Sequence, residues 1–370
     1  VDAIRHNSAT SDAITTAADG TCTAKLTSIG GGGLSHRNKV INGAMTISQR
    51  GASFAAANNV FTLDRYKIFG SHNGAVTVTQ SATSPDGFAK SLKVDVTTAD
   101  TSIAAGQYIQ LNHRIEAQDL QDLAYGTSAA KTITVSFYVR SNVTGNYSFA
   151  IQLPDNSNKQ VSLVYTINSA NTWERKTFSI AGDTSGGIND DNGNGFNIFW
   201  NLAIGTQYTS GTQRSAWHAY ADADFAAGHA VNLLSSTSNE WHLTGVQIEV
   251  GDTATSFEHR SYGEELARCQ RYFYSYIPSS SLWRDGYSEG NIYVKGQVSF
   301  PVTMRANPSV TKVGTLTHSN NESGGDAASE APTTSINEAT SIVRSASTGR
   351  TYSFWSSLPN GVGFTFSAEL

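Results

Sequence analysis

KTITVSFYVR, residues 131–140, sets Ile133, Val135, Phe137 and Val139 in alternation with Thr134, Ser136, Tyr138 and Arg140. Side chains of an extended chain point to opposite faces, so the apolar set enters a core and the other set meets solvent. The pattern predicts a half-buried antiparallel strand. Runs of similar character recur on both sides: FTLDRYKIF (61–69), AVTVTQ (75–80), SLKVDV (91–96), YSFAIQL (147–153), VSLVYTI (161–167), TWERKTFSI (172–180), FNIFWNLAI (196–204) and EWHLTGVQIEV (240–250). Strands at this spacing, divided by turn formers, predict a β-sandwich over residues 36–257. Within it, RIEAQDLQDLAYG carries Ile115, Leu120 and Leu123 at helical spacing with Gly126 as a stop, which predicts one short helix.

Composition agrees with an all-β chain. Only 15% of the 370 residues are charged and the net charge is -5, so there is no footprint for nucleic acid. Cys22 and Cys269 lie too far apart in sequence for a metal-ligand pair or a disulfide framework, and both read as buried free thiols. No apolar run reaches the roughly 20 residues of a membrane helix, so membrane insertion is not expected. The start, VDAIRHNSATSD, lacks the shape of a signal peptide and, lacking Met, suggests a processed product.

Residues 1–35 form two thin alternating stretches around Ala18-Asp19-Gly20 and end on four glycines. Ile4, Ile14, Leu26 and Ile29 are too few to close a core, so the segment is expected to borrow partners from copies of itself, as a shaft or attachment segment. A disordered arm is the alternative. At the other end of the sandwich, EHRSYGEELARCQRYF (258–273) gathers three carboxylates, a histidine, three arginines and a cysteine. It has the look of an active site, but from Tyr262 on Leu266, Cys269, Tyr272 and Phe273 make an apolar stripe, while Glu264, Glu265, Arg268 and Arg271 fall on other faces. Glu264 and Arg268 are an i, i+4 pair in the favourable order. The run therefore predicts a linking helix within 258–275, followed by a small C-terminal β domain, 276–370, in which THSNNESGGDAASEAPTTS (317–335) reads as an exposed loop.

Signals for chemistry are sparse. No local motif isolates the pair of carboxylates that glycoside hydrolysis needs, there is no G-x-S-x-G elbow, and the nine histidines show no metal spacing. The loop GDTSGGINDDNGNGF (182–196) offers Asp183, Asp190 and Asp191 as weak candidates for a structural calcium, although no glutamate closes the loop as an EF-hand requires. Otherwise no cofactor is expected. Sugars are held by ring faces and surrounding hydrogen bonds, and SSSLWRDGYSEGN (279–291) supplies Trp283, Arg284, Asp285, Tyr287, Glu289 and Asn291 in one turn-rich segment. Trp355, on the face opposite Tyr352 and Phe354, joins them as a candidate. The competing use of Trp283 is packing under its own loop or at a subunit interface. Trp173, Trp200, Trp217 and Trp241 are expected inside the sandwich, Trp217 with the weakest claim.

NKVINGAMTISQRGASF (38–54), FTLDRYKIF, YIQLNHRIEAQDLQDLAYGTSAAKTITVSFYVRSN (108–142), VQIEVGDTATSFEHRSYGEELARCQRYF (246–273) and the terminal FTFSAEL together resemble tail-fibre and related virion proteins of bacteriophages. The central part, with its KTITVSFYVR, NTWERKTFSI and HLTGVQIEVG strands, is similar to the jelly-roll sandwiches of carbohydrate-binding modules. The resemblance implies a virion fibre, a homotrimer joined to other tail or capsid proteins through residues 1–35, with a distal tip that meets a host-surface glycan without catalysis. A capsid cement or tail adaptor protein, and a tailspike hydrolase acting on polysaccharide, are the alternatives. On this reading Trp283→Ala leaves the trimer folded and lowers adsorption to host cells; unchanged adsorption takes Trp283 off the site.

Overall fold

The computed structural model describes residues 3–4, 14–16, 18, 22–24, 35–56, 58–277, 285–287, 293–314, 317–319, 326–327, 333–335, 337–344, 351–355 and 363–370. Near the start, β1 (Ala3–Ile4), β2 (Ile14–Thr16) and β3 (Cys22–Ala24) pair as a small antiparallel sheet. Twelve strands follow: β4 (Ser53–Ala56), β5 (Val60–Phe61), β6 (Tyr66–Ser71), β7 (Ala75–Ser81), β8 (Ser91–Thr98), β9 (Tyr108–Glu116), β10 (Ile133–Ser141), β11 (Gly145–Leu153), β12 (Lys159–Ile167), β13 (Glu174–Ile180), β14 (Asn194–Ile204) and β15 (Glu240–Val250). They form two six-stranded antiparallel sheets, ordered β13-β10-β15-β8-β7-β4 and β12-β11-β14-β9-β6-β5. From β8 onward the chain changes sheet at almost every connection, and only β11 and β12 join as a hairpin within one sheet.

The alternation in KTITVSFYVR holds on its apolar side. Ile133, Val135, Phe137 and Val139 are fully buried, and Phe137 meets Phe149, Tyr165 and Trp200 of the facing sheet at ring-centroid distances of 5.9, 5.3 and 5.9 Å. The other side departs from expectation, because Thr134 and Ser136 are also buried. Chain segments lie over that face: Thr134 Oγ1 donates to the Gly251 carbonyl at 2.8 Å, and Phe88 covers Tyr138 while packing against Phe257 and His259. Small hydroxyl residues suit such a layer, since each can satisfy itself against backbone.

Two strands escape the sequence pattern. Edge strand β4 is short, and β9 is masked by its amides and by His113 and Arg114, although it sits between β14 and β6 near the middle of the second sheet. His113 points inward against Tyr66, 4.9 Å between centroids. Trp200 and Trp241 are fully buried, whereas Trp173 and Trp217 are half-buried. Trp217 lies against Phe196 and donates its Nε1–H to the Ala181 carbonyl at 2.9 Å. The expected helix near 120 is a 3-10 turn, Ala117–Leu123, which ends on Ala124 in the left-handed region ahead of Gly126 at φ +82°. Strand β14 carries register shifts against β9 on both sides of residues 196–201, between Asn194 and Phe196 and between Asn201 and Ala203.

The linking helix is real but shorter than its apolar stripe. After a four-residue helix, α1 (Thr206–Thr209), α2 spans Tyr262–Gln270, with Ser261 as N-cap accepting from the Glu264 N–H. Leu266, Cys269 and Tyr272 pack on Ile41 and Ile47, while Phe273 belongs to the next strand, β16 (Phe273–Tyr276), and Tyr262 is 64% exposed. Glu264 and Arg268 form the expected pair at 3.2 Å. Glu265 is the correction: it faces inward, accepts from the Asn42 backbone N–H and pairs with Arg260 at 3.3 Å. A carboxylate can point into the protein here because its oxygens find both a backbone donor and a guanidinium. Cys269 is a buried free thiol whose pKa burial pushes well up, so it behaves as a small hydrophobe.

Beyond α2 come β17 (Asp285–Tyr287), β18 (Tyr293–Ser299), β19 (Ser309–Val313), β20 (Thr317–Ser319), β21 (Asp326–Ala327), β22 (Thr333–Thr334), β23 (Glu338–Arg344), β24 (Thr351–Trp355) and β25 (Gly363–Ser367). They make three small sheets, β16-β25-β19, β17-β24-β20-β21 and β18-β23-β22. The polar tract 317–335 is thus not one plain loop, because its Thr and Ser residues contribute short strands through backbone pairing that asks nothing of their side chains. Phe364 and Phe366 close a satellite core with Val298, Met304, Tyr274 and Phe300.

A buried ion network joins this end to the sandwich. Glu369 is 3% exposed and pairs with Arg65 and, at 3.0 Å, with Arg50. Arg65 lies over the Tyr272 ring at 3.4 Å and Arg50 over Phe273 at 3.6 Å. Arg271 grips Glu116 with two bonds of 2.8 Å. Arg305 donates to the carbonyls of Asn192, Ala368 and Glu369. Removing one partner of a buried pair leaves the other charge unmatched, at a cost of about 3–5 kcal/mol. Glu369→Ala should therefore lower stability by about that amount in urea unfolding; a loss below about 1 kcal/mol, the value of a surface pair, would show that the seam holds without it.

Candidate functional site

The outward residues of the second sheet make an unusually uncharged surface. The register sets Arg114, Asn197 and Gln152 in one row across β9, β14 and β11, and Lys67, Asn112, Phe199 and Ala150 in the next row across β6, β9, β14 and β11. Phe69, Gln110 and Asn201 continue it. Over one end of this floor folds the chain of residues 205–230, in which Phe225 packs edge-on against Phe199 at 5.2 Å and Tyr208 against Tyr108 at 5.7 Å. Floor and flap enclose a groove of about 280 Å³ lined by Phe69, Tyr108, Gln110, Arg114, Gln152, Asn197, Phe199, Tyr208, Tyr220 and Phe225.

Two amides in the floor are unusual. Gln110 and Gln152 are only 7% and 8% exposed, and their side chains form no hydrogen bond among the described residues. Their amide groups open onto the groove, since neither is among the fully enclosed polar atoms that lack a partner, and so leave donors and acceptors available to whatever fills it. Their neighbours are committed: Asn112 Nδ2 donates to Asn197 Oδ1 at 2.6 Å, Asn201 Nδ2 to Ser148 Oγ at 2.7 Å, and Tyr220 through its hydroxyl to Asp222. A second cleft, about 440 Å³, opens beside β4, β6 and β7, but Ala55, Ala56, Gly70, His72 and Thr97 line it with little beyond small groups and backbone.

The sequence had pointed elsewhere. Trp283, Arg284, Glu289 and Asn291 lie outside the described residues. Asp285 and Tyr287 belong to β17 and Trp355 to β24, and these strands pair, Asp285 opposite Ser353 and Tyr287 opposite Thr351. The calcium candidates are placed apart in function. Asp183 holds Lys159 Nζ at 2.8 and 2.6 Å and accepts from the Ser185 N–H, which keeps its carboxyl below the usual range. Asp191 accepts from the Gly193 N–H at 2.7 Å, and Asp190 is exposed. Among the described residues no three of His, Cys, Asp and Glu come together as a metal site would have them. Of the groove residues, Phe69, Gln152, Asn197 and Phe199 lay in strands read from the sequence, whereas those of β9 and of residues 205–230 did not; the available signal was a run of outward positions filled by amides and rings.

No protein-family model matches the sequence, and no curated protein matches it. Several solved structures align with part of the chain. The enzymatically active domain of tailspike protein 4 from bacteriophage CBA120 aligns with 58% of this chain at 12% identity and a TM-score of 0.30; the chain spans about a fifth of that protein, 21%. A family 11 carbohydrate-binding module from Clostridium thermocellum, in complex with a β-1,3-1,4-mixed-linked tetrasaccharide, aligns over 56% of this chain and 98% of its own at 11% identity and a TM-score of 0.28. A CBM4 structure gives 14% identity, 56% and 97% coverage, and a TM-score of 0.28. Likeness at this level carries no argument about fold or function.

His229 ties the flap to the floor. The Ser148 N–H donates to its Nδ1 at 3.0 Å and its Nε2–H reaches the Val231 carbonyl at 2.7 Å, so the neutral tautomer satisfies both bonds. A proton on Nδ1 would face the Ser148 N–H. Burial pushes His229 and His242 down to about 4, and His113 well below its usual value. Unfolded histidines titrate near 6.5, so stability is complete above that pH and falls as pH drops toward 4. Each buried histidine contributes a slope of up to about 1.4 kcal/mol per pH unit in that window. Urea midpoints between pH 7 and 4 should show the decline, and His229→Gln should flatten it by about one proton.

Proposed function

We propose that the sandwich is a non-catalytic carbohydrate-binding unit and that the groove on the second sheet is where the sugar lies. The observation that carries this reading is the pair of nearly buried, unpartnered amides, Gln110 and Gln152, between the rings of Tyr108, Phe199 and Tyr220. Ring faces stack on the C–H surfaces of a sugar, and amides both donate to and accept from its hydroxyls. The hydroxyls of a sugar satisfy them without the desolvation cost of an ion pair. The lining holds no carboxylate, whereas glycoside hydrolysis uses two, which supports binding over cleavage.

The wider role follows the virion resemblance. The chain acts in a phage fibre as a homotrimer, joined through residues 1–35 to other virion proteins, and engages glycan on the host cell surface. Three weak sites on one rigid assembly raise avidity without a new contact. The segment that carries Trp283 and the strand with Trp355 serve as a second contact region in the C-terminal unit.

Unpartnered amides contribute nothing to the fold that alanine would remove. Gln110→Ala combined with Gln152→Ala should leave the unfolding midpoint unchanged or slightly raised, yet weaken glycan binding on an oligosaccharide array by about 30-fold, from about 1 kcal/mol per lost bond. Binding unaffected by the double substitution would place the sugar elsewhere.

A further inference from the structure

Charge is concentrated at one end of the groove. Lys67 and Arg114 stand on the outer face of β6 and β9, Lys67 opposite Asn112 and Arg114 opposite Asn197. Lys67 is 7% exposed, and Arg114 is half-buried with its Nε shielded and without a partner. Among the described residues neither side chain makes a hydrogen bond or an ion pair. What they touch is aromatic: Lys67 Nζ lies 4.8 and 4.6 Å from the centroids of Phe61 and Phe69, and the Arg114 guanidinium 5.7 Å from Phe69. The carboxylates in range are already committed, Glu369 to Arg65 and Arg50, and Asp64 to Gln49 with Arg50 at 4.0 Å. Four cations, Arg50, Arg65, Lys67 and Arg114, thus meet two carboxylates. Burial lowers the pKa of both Lys67 and Arg114, helped by repulsion from Arg114 at Lys67 and from Arg65 at Arg114.

Withdrawing cations from water without a counter-ion is costly, and a ligand that brings negative charge relieves the cost. We infer that this end of the groove receives the carboxylate of an acidic sugar, so that the glycan bound is uronic- or sialic-acid-containing rather than neutral. This rests on the carbohydrate reading of the same groove. The planar fork of Arg114 suits a carboxylate bidentately, and Lys67 adds a point charge beside it. At the opposite end, some six residues or about 20 Å along β9, the Tyr220 hydroxyl is held by Asp222. A second acidic unit there would meet a like charge. The polarity of the groove therefore sets the direction of the chain as well as its type.

The test is titration against matched trisaccharides that differ only at C6: β-1,4-mannuronate against β-1,4-mannose, β-1,4-glucuronate against β-1,4-glucose, and α-1,4-galacturonate against α-1,4-galactose, beside a general array of neutral, sialylated and sulfated oligosaccharides. An acidic member should bind at least about tenfold more tightly than its neutral partner. The preference should shrink as NaCl rises, vanish in Lys67→Gln and in Arg114→Gln, and survive in part in Arg114→Lys, with unfolding midpoints recorded for each variant. Equal binding of acidic and neutral partners, a preference for sulfate esters alone, or a preference untouched in folded Arg114→Gln overturns the assignment and leaves the carbohydrate reading standing. Failure of every sugar on the array to bind removes both.

Discussion

Glu369, one residue from the end of the sequence, is held by two arginines from the first turns of the sandwich, and the placement of the C-terminal unit depends on that contact. Arg65 adopts φ +72°, in the left-handed region, and is fully enclosed between Glu369, the Arg114 carbonyl and the Tyr272 ring. A bulky residue rarely adopts such a backbone, so the tight turn between β5 and β6 is retained by what its side chain does across the seam. The same turn aims Asp64 at Gln49, and β6 starts directly after it. An ion pair made between distant parts of the chain thereby helps fix the first strand of the groove's floor.

Much of the architecture could be read locally. Alternation marked most of the sandwich strands because each has one face in a common core, and α2 was legible from its i, i+4 pair and its apolar stripe. Strand β9 was not singled out: Ile109, Leu111 and Ile115 do alternate onto the core face, but His113 interrupts them, buried beside Tyr66, and the opposite face carries Gln110 and Asn112 in place of charged residues. Glu265 was misplaced for a related reason: its partners, the Asn42 N–H and Arg260, are brought to it by tertiary contact.

The groove is harder still to foresee, because it exists only once β9 lies beside β14 and β14 beside β11. Gln110, Asn197 and Gln152 are separated by up to 87 positions in the chain and share a surface only through sheet order. A reader of one strand sees an amide at a solvent-facing position and no reason to single it out. Aromatic-rich stretches of sequence such as that around Trp283 draw attention because their signal is local. Surfaces built by non-local pairing leave no such mark.

The paired irregularities in β14 frame Asn197, Phe199 and Asn201 between two offsets of the ladder. Such bulges pin register, so the intervening side chains cannot slide from floor to core when one of them changes. Since the alternate residues Ile198 and Trp200 carry the packing, the floor can be rewritten residue by residue while the scaffold stays put. The lining of the groove and the packing of the core thus sit on separate faces of one strand, so that either can change while the other is kept.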